Sequence, residues 1–236
     1  MNVINQQYLD AMGIQQWVLR NSAVAVENEA VIDLAEDDGE TPGIADRREE
    51  KPGWQALQQS VSICTACELQ SSRTQTVFGV GNPDAEWLII GEAPGADEDR
   101  QGEPFVGRAG QLLNAMLLAI GLRREEVYIA NILKCRPPGN RDPRPEEVTR
   151  CEAFLQRQIE LVEPKVILAV GRIAAQNILK TEAKIGALRG KSHQYRETGI
   201  PVVVTYHPAY LLRSPKEKRK AWEDLKLARK VVSLAR

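Results

Sequence analysis

Four short apolar runs, rich in β-branched residues, constrain the fold of this 236-residue chain more than any other feature. Runs of this length match strands that are buried on both faces of a parallel sheet. Helical patterns alternate with them, as in right-handed βαβ units. The sequence therefore predicts an α/β fold, a three-layer sandwich with a central four-stranded parallel sheet. The strands are expected at residues 87–90, 127–130, 166–170 and 202–205, and the helices at residues 110–120, 145–162, 172–179 and 215–234.

Polar residues follow each predicted strand. Glu92 comes after the first strand and Asn131 after the second. Arg172 follows the third strand, and His207 follows the fourth. In an open α/β sheet, ligands bind outside the carboxyl ends of the strands. The sequence thus predicts a site where a carboxylate, an amide, a guanidinium and an imidazole meet at one edge of the sheet.

The segment before the predicted sheet divides into two parts. Residues 1–20 hold a short apolar element, whereas residues 21–53 are acidic, poor in aromatic residues and interrupted by glycine and proline. Such a composition buries too little surface to offset the entropy lost on ordering, so we expect a flexible linker. The folded domain is expected at residues 54–236. The first 53 residues hold eleven acidic and four basic residues, so the remaining 21 acidic and 27 basic residues give this domain a net charge of about +6. Such a charge is compatible with a nucleic-acid partner.

The four cysteines are Cys64, Cys67, Cys135 and Cys151. The first two form a C-x-x-C pair ahead of the sheet, the third follows the second strand, and the fourth falls on the next helix. Disulfides are disfavoured in the cytosol, so one metal centre that uses all four thiolates is the economical interpretation. Zinc and a [4Fe–4S] cluster both fit this spacing. A redox pair and unrelated buried thiols are the alternatives.

The segment 91–110, GEAPGADEDRQGEPFVGRAG, predicts a tight loop that exposes backbone N–H groups at the strand ends. A dinucleotide-binding fingerprint is excluded elsewhere in the chain, because the G-x-G that begins at Gly79 precedes a strand and lacks the third glycine. A phosphate-binding P-loop is excluded as well, since the sequence contains no G-K-[ST].

Taken together, these motifs resemble those of the family 4 uracil-DNA glycosylases, the iron–sulfur members of their superfamily. The resemblance rests on GEAPG, PFVGRAGQLL, the asparagine after the second strand, HPAYLLR and the four cysteines, and it covers about residues 54–236. It implies a monofunctional enzyme that hydrolyses the N-glycosidic bond of uracil in DNA to start base excision repair. It also implies a [4Fe–4S] cluster on Cys64, Cys67, Cys135 and Cys151.

The resemblance also gives roles to side chains at the strand ends, where a base flipped out of the duplex would lie. Phe105 would stack on the base. Asn131 would donate to O4 of uracil and accept from N3–H, a pattern that cytosine does not present. His207 would donate to O2 of the departing uracil and stabilise its negative charge, with help from backbone N–H groups around Glu92 and Ala93.

A carboxylate is also needed to stabilise the sugar cation and to position water. Glu92 is the first candidate, and Glu98 and Asp99 are the reserves. Family 1 enzymes carry an aspartate one position later, where this chain has Ala93. The identity of the carboxylate that positions water is therefore left open by the sequence.

The HPAYLLR segment is the candidate for contact with the duplex. By resemblance it enters the minor groove, with Leu211 and Leu212 as apolar wedges and Arg213 beside them. Packing of both leucines within the protein is the alternative. Arg189, Lys191 and Arg213 are candidates for contacts with phosphates.

Residues 1–20 resemble the N-terminal peptide of the psi subunit of the bacterial clamp loader, which docks on the chi subunit. The likeness rests on an aromatic residue, Leu9, Gly13-Ile14 and Trp17 at similar spacing. It implies a docking peptide on a flexible tether, with the chi subunit as its partner. An N-terminal helix that packs on the domain is the alternative.

Two other functions compete with uracil excision. A non-catalytic nucleic-acid-binding module is disfavoured because Glu92, Phe105, Asn131 and His207 are all present. An enzyme like those of family 5, with broader base tolerance, is disfavoured by the acidic residue at position 92. With no apolar run of membrane-spanning length and no secretion signal, we expect a cytoplasmic protein, and a monomer.

Overall fold

The computed structural model describes residues 53–234, which form one six-stranded sheet and eight α-helices. The strands are β1 (Val80–Gly81), β2 (Trp87–Gly91), β3 (Tyr128–Asn131), β4 (Val166–Val170), β5 (Ser192–Gln194) and β6 (Pro201–Thr205). The helices are α1 (Trp54–Ser62), α2 (Ala96–Gln101), α3 (Arg108–Ala119), α4 (Pro145–Val162), α5 (Arg172–Leu179), α6 (Ile185–Leu188), α7 (Pro208–Arg213) and α8 (Lys218–Leu234).

The four middle strands of the sheet run parallel, in the order β3-β2-β4-β6. The register pairs Gly91 with Asn131 and Val170 with Thr205. All four strands therefore end at the same edge, and the residues that follow them meet there. The short strands β1 and β5 add antiparallel edges to this core.

Two hydrophobic cores lie on the two faces of the sheet, because side chains alternate along each strand. Leu88 and Ile90 of β2 pack on one face with residues of α4 and α5. Trp87 and Ile89 pack on the other face with residues of α3 and α8. The molecule is thus a three-layer sandwich of helices, sheet and helices.

The predicted fold class is confirmed, and all four predicted strands form the parallel centre of the sheet. The last predicted helix is divided into a 3₁₀ turn at Pro215–Glu217 and α8. The edge strands β1 and β5 were not predicted. They have two and three residues, too few to show an alternating pattern.

The predictions for the N-terminal part concern residues that the structure does not describe. The docking peptide at 1–20 lies outside the described residues, and so does the predicted linker except for Gly53. Among residues 53–234, no helix is both long and apolar enough to cross a bilayer.

Candidate functional site

A cavity of about 460 Å³ opens at the carboxyl edge of the sheet. This is the position that the sequence predicts, because loops after parallel strands meet at one edge. Arg172 is the exception among the residues expected there, since it does not line the cavity itself. The predicted site residues that do line it are Glu92, Ala93, Glu98, Phe105, Asn131, His207 and Arg213.

The floor of the cavity is closely packed around Gly91, the last residue of β2. A Cβ atom at this position would lie 2.4 Å from Asn131 Oδ1 and 2.6 Å from Phe105 Cζ. Both distances are well below a van der Waals contact, so only glycine lets the amide and the ring approach each other here.

Asn131 is the last residue of β3 and is 2% exposed. Its Oδ1 atom is buried and has no hydrogen-bond partner among the described residues. A buried acceptor without a partner costs about 1–3 kcal/mol, so such groups are rare in folded proteins. This acceptor is available for a donor from a ligand in the cavity.

His207 caps the N-terminus of α7, where its Nδ1 accepts a hydrogen bond from the Ala209 N–H at 3.2 Å. An accepting Nδ1 carries no proton, so in the neutral ring the proton is on Nε2. Burial, with the nearby charge of Arg213, lowers the pKa of His207 from 6.5 to about 4. The imidazole is therefore neutral near pH 7, and its Nε2–H is a donor.

The ring of Phe105 lies next to His207, with 5.5 Å between the ring centroids and 29° between the planes. Phe105 has a φ of 55°, a left-handed conformation that costs a bulky residue about 1–3 kcal/mol. The surrounding loop must offset this strain, which is typical of functional sites.

Glu92 follows β2 directly and is half-buried in the cavity wall. Burial is the main cause that raises its pKa from 4.5 to about 7, and the negative charge of Asp142 raises it further. Arg172 acts in the opposite direction, but its guanidinium is paired with Asp142 at 2.6 Å. A carboxylate with such a pKa exists in both forms near pH 7.

The reserve carboxylates are held by backbone groups. Glu98 lines the cavity, but its Oε1 accepts from the N–H groups of Val106 and Gly107, at 3.0 and 3.3 Å, and its Oε2 accepts from Gly95 N–H at 3.1 Å. Asp99 is buried away from the cavity and accepts from Thr74 N–H. Their contacts favour a structural role for both side chains.

The two leucines of α7 face opposite environments. Leu211 is 1% exposed and packs in the core with α3 and α8, which favours the packing alternative over entry into DNA for this residue. Leu212 is 37% exposed, as is Tyr210, and Arg213 is exposed at the cavity. On a six-residue helix one face must pack inward, and Leu211 belongs to that face.

Arg189, Lys191 and His193 also differ in whether their side chains are engaged within the protein. Arg189 forms a buried ion pair with Asp224 at 2.9 Å, so it is engaged within the protein and unsuited to binding phosphate. Lys191 is exposed. His193 contacts the backbone oxygen of Leu188 at 2.7 Å and lies outside the cavity.

Sequence reasoning missed the part of the cavity wall formed by the loop after β3. Asn140, Arg141 and Asp142 line the cavity. The loop is fixed because Arg141 Nη1 donates to the buried carboxylate of Glu147 at 2.9 Å. The proline-rich sequence PPGNRDPRP marks a loop, but nothing in it shows which side chains turn toward the site.

The four cysteines line a second, small cavity on the side of the sheet where α4 packs. Among the described residues, no three cysteine, histidine or acidic side chains form a group fitted to a single metal ion. The guanidinium of Arg73 donates to Cys135 Sγ at 3.1 Å, and the backbone N–H of Lys134 donates to Cys151 Sγ at 3.4 Å.

Lys134, which also lines the cysteine cavity, is 1% exposed. Its Nζ donates to the backbone oxygen of Asn131 at 2.9 Å and to Gln158 Oε1, both uncharged acceptors. Burial lowers the pKa of Lys134 from 10.5 to about 8, while Cys151 and Cys135 act in the opposite direction.

Comparison with known proteins gives consistent matches. The sequence profile of the Uracil DNA glycosylase superfamily matches residues 78–226. The Type-4 uracil-DNA glycosylase of Archaeoglobus fulgidus is 48% identical over 174 residues, which cover 71% of this chain and 87% of the relative. That of Thermotoga maritima is 44% identical over 179 residues, or 75% of this chain and 93% of the relative.

A Type-5 uracil-DNA glycosylase, from Thermus thermophilus, is 36% identical over 135 residues. These residues cover 51% of this chain and 59% of the relative. Both the identity and the coverage are thus lower than for the two Type-4 enzymes.

Proposed function

Since the chain belongs to the uracil-DNA glycosylase superfamily, we propose that it hydrolyses the N-glycosidic bond of uracil in DNA, the first step of base excision repair. The observation that carries this proposal is the unpartnered, buried Oδ1 of Asn131 in a cavity shared with Phe105 and His207. The products are free uracil and an abasic site in the DNA, without cleavage of the strand.

Recognition of the base follows from the floor of the cavity. A uracil flipped out of the duplex stacks on Phe105, and its N3–H donates to Asn131 Oδ1. The amide of Asn131 donates to O4. Cytosine has an unprotonated N3 and an amino group at these positions, so it would leave polar groups on both sides unpaired.

Departure of the base is assisted by His207. As the glycosidic bond breaks, negative charge develops on uracil, mainly on its oxygens and N1. The neutral ring donates from Nε2 to O2, and the backbone N–H groups near Glu92 and Ala93 contribute in the same way. Since the Ala209 N–H fixes Nδ1 as acceptor, the donor is oriented before the substrate arrives.

Glu92 is the carboxylate that stabilises the positive sugar and positions the attacking water. Burial raises the pKa of Glu92 to about 7, as expected of a carboxyl group in an active site, whereas Glu98 is bound by three backbone N–H groups. We propose that Glu98 positions the loop of Phe105 and takes no part in proton transfer.

On the duplex side, we propose that Leu212 and Arg213 contact DNA, with Tyr210 as a further candidate.

We also propose that Cys64, Cys67, Cys135 and Cys151 hold a [4Fe–4S] cluster, as the Type-4 likeness suggests. The donor set fits this group, because four thiolates surround one cavity. The net negative charge of a cluster with four thiolates also suits two basic neighbours, Arg73 and the buried Lys134. The cluster would act as a structural staple between the segment before the sheet and the loop after β3.

The test of the function is a single-turnover assay on a labelled oligonucleotide with one uracil, in which alkali breaks abasic sites. We expect cleavage at uracil and none at thymine or cytosine. Asn131→Ala should lower the rate at least tenfold, whereas Asn177→Ala, whose amide contacts the Ile173 carbonyl on α5, should not. No cleavage by protein that retains its metal centre would instead favour a non-catalytic DNA-binding module.

For the N-terminal peptide we propose docking on the chi subunit of the clamp loader, in the cytoplasm, where DNA is replicated. A pull-down with purified chi tests this proposal. Trp17→Ala should abolish capture of the full-length protein, and full capture by this variant would refute docking through this peptide.

A further inference from the structure

The backbone around Phe105 is held by two side chains of opposite charge. Glu98 accepts from the N–H groups of Val106 and Gly107, which follow the ring. Arg124 donates from Nη2 to the Pro104 carbonyl at 2.5 Å and from Nη1 to the Phe105 carbonyl at 3.3 Å. Four successive residues thus have their polar backbone groups bound by two side chains.

Arg124 lies outside the cavity. It begins the 3₁₀ turn Arg124–Glu126 that leads into β3, and it is half-buried. Its Nη1 also donates to Asn114 Oδ1 on α3 at 3.2 Å. One guanidinium therefore connects the Phe105 loop to a helix and to the approach to the strand that ends at Asn131.

Two features of the loop show why it needs such support. Phe105 is in the left-handed region at φ 55°, where a β-carbon crowds the backbone. A Cβ at Gly110 would lie 1.8 Å from the Phe105 carbonyl oxygen, so this carbonyl is packed directly on the backbone of α3. The conformation is set from outside by surrounding groups and is not the one a phenylalanine prefers.

We propose that Arg124 is a positioning residue for uracil excision, which acts by fixing the left-handed backbone of Phe105 and so the face on which the base stacks. The expected effect on the rate of uracil excision rests on the proposed function, whereas the effect of Arg124 on the Phe105 backbone does not. The planar fork of arginine reaches two carbonyls and an amide oxygen at once, whereas a lysine ammonium offers a single point of attachment.

The first test measures position without activity. The chain has three phenylalanines, so protein labelled with ¹⁵N-phenylalanine gives three backbone amide signals, and Phe105→Leu identifies one of them. In Arg124→Met, the Phe105 signal should move or broaden while those of Phe78 and Phe154 stay in place. An unchanged Phe105 signal, or displacement of all three, would overturn the proposal.

The second test is a double-mutant cycle. The measured quantity is the single-turnover rate constant divided by the Kd for uracil-containing DNA. We expect Phe105→Ala to lower it about a hundredfold and Arg124→Met about tenfold, the range that loss or misplacement of base stacking gives. Because Arg124 acts through Phe105, the double variant should match Phe105→Ala within about twofold. A loss of about a thousandfold, the product of the two, would mean that Arg124 acts independently and would overturn the proposal.

The neighbouring Arg123 is the matched control. It pairs with Glu125 and Glu126 on the surface, so Arg123→Met should change neither the Phe105 signal nor the rate. Arg124→Lys keeps the charge, should recover part of the rate, and replaces Arg124→Met if that variant does not fold. Absence of cleavage by the wild type and by Arg123→Met would refute the proposed function, while the NMR result would still decide the position of Phe105.

Discussion

The cavity at the strand ends and the cysteine cavity are assembled in different ways. The first takes its groups from adjacent strands, with Glu92 directly after β2, Asn131 at the end of β3 and His207 shortly after β6. The second takes its four sulfurs from three segments, and Cys64 and Cys67 lie in an irregular, mostly exposed stretch after α1.

The difference indicates what each site contributes. The parallel sheet holds the strand-end cavity in place, so single side chains there can change without loss of the fold. The irregular stretch that carries Cys64 and Cys67 is mostly exposed, and a bound cluster would link it to Cys135 and Cys151 in the core. Substitutions in the first cavity should therefore lower activity, and substitutions in the second should lower stability.

Removal of one of the proposed cluster ligands should have the largest effect. We expect Cys64→Ala to lose its iron and to melt at least about 10 °C lower than the wild type, because the proposed staple is gone. Metal analysis distinguishes iron from zinc, and calorimetry gives the melting temperature. Thr65→Ala, an exposed residue between two of the proposed ligands, is the control. Full iron content and an unchanged melting temperature in Cys64→Ala would contradict the proposal that the cysteine cavity contributes stability through a bound cluster.

Loss of His207, the proposed donor to the departing uracil, should have the next largest effect. His207→Ala should lower the single-turnover rate about a hundredfold or more, as for other oxyanion donors, and shift the melting temperature by only a few degrees. The other histidine of the chain, His193, is outside the cavity, so His193→Ala should retain the rate. A normal rate in His207→Ala would show that the leaving base needs no donor from this position.

The pH dependence of the rate should report Glu92. Because the pKa of Glu92 is raised to about 7, the carboxylate form that we propose to be active falls from about one half at pH 7 to about one tenth at pH 6, and the rate should drop about fivefold over this range. His207 has a lowered pKa and stays neutral over this range. Glu92→Gln should be slow and independent of pH. A fall in rate that persists in Glu92→Gln would assign the ionisation to another group.

Leu212→Ala should have the smallest effect, a few-fold weaker affinity for duplex DNA with an unchanged melting temperature, since the side chain is exposed beside the cavity. Ile63 is exposed near the cysteines, and Ile63→Ala should leave affinity unchanged. Binding titrations at fixed salt measure both. Equal affinity of wild type and Leu212→Ala would mean that α7 contacts DNA through polar groups alone.

Much of the strand-end cavity was predictable, because its residues follow long-range apolar patterns. Each buried run predicts a strand, and the next polar residue must lie at its carboxyl end, as with Asn131 and His207. The inward position of Leu211 was not predictable, because it depends on how α7 is rotated. Nor was the role of Glu98, because three nearby carboxylates are alike in sequence and only the backbone N–H groups around them differ.

The absence of room at Gly91 bears on how such an enzyme can diversify over evolutionary time. A single added methyl group would overlap the amide of Asn131 and the ring of Phe105 together, so a change at this position must displace both side chains. The exposed loop at Asn140 and Asp142 carries no such restriction. New substrate preferences are therefore expected to arise at the rim of the cavity, while its floor is inherited unchanged.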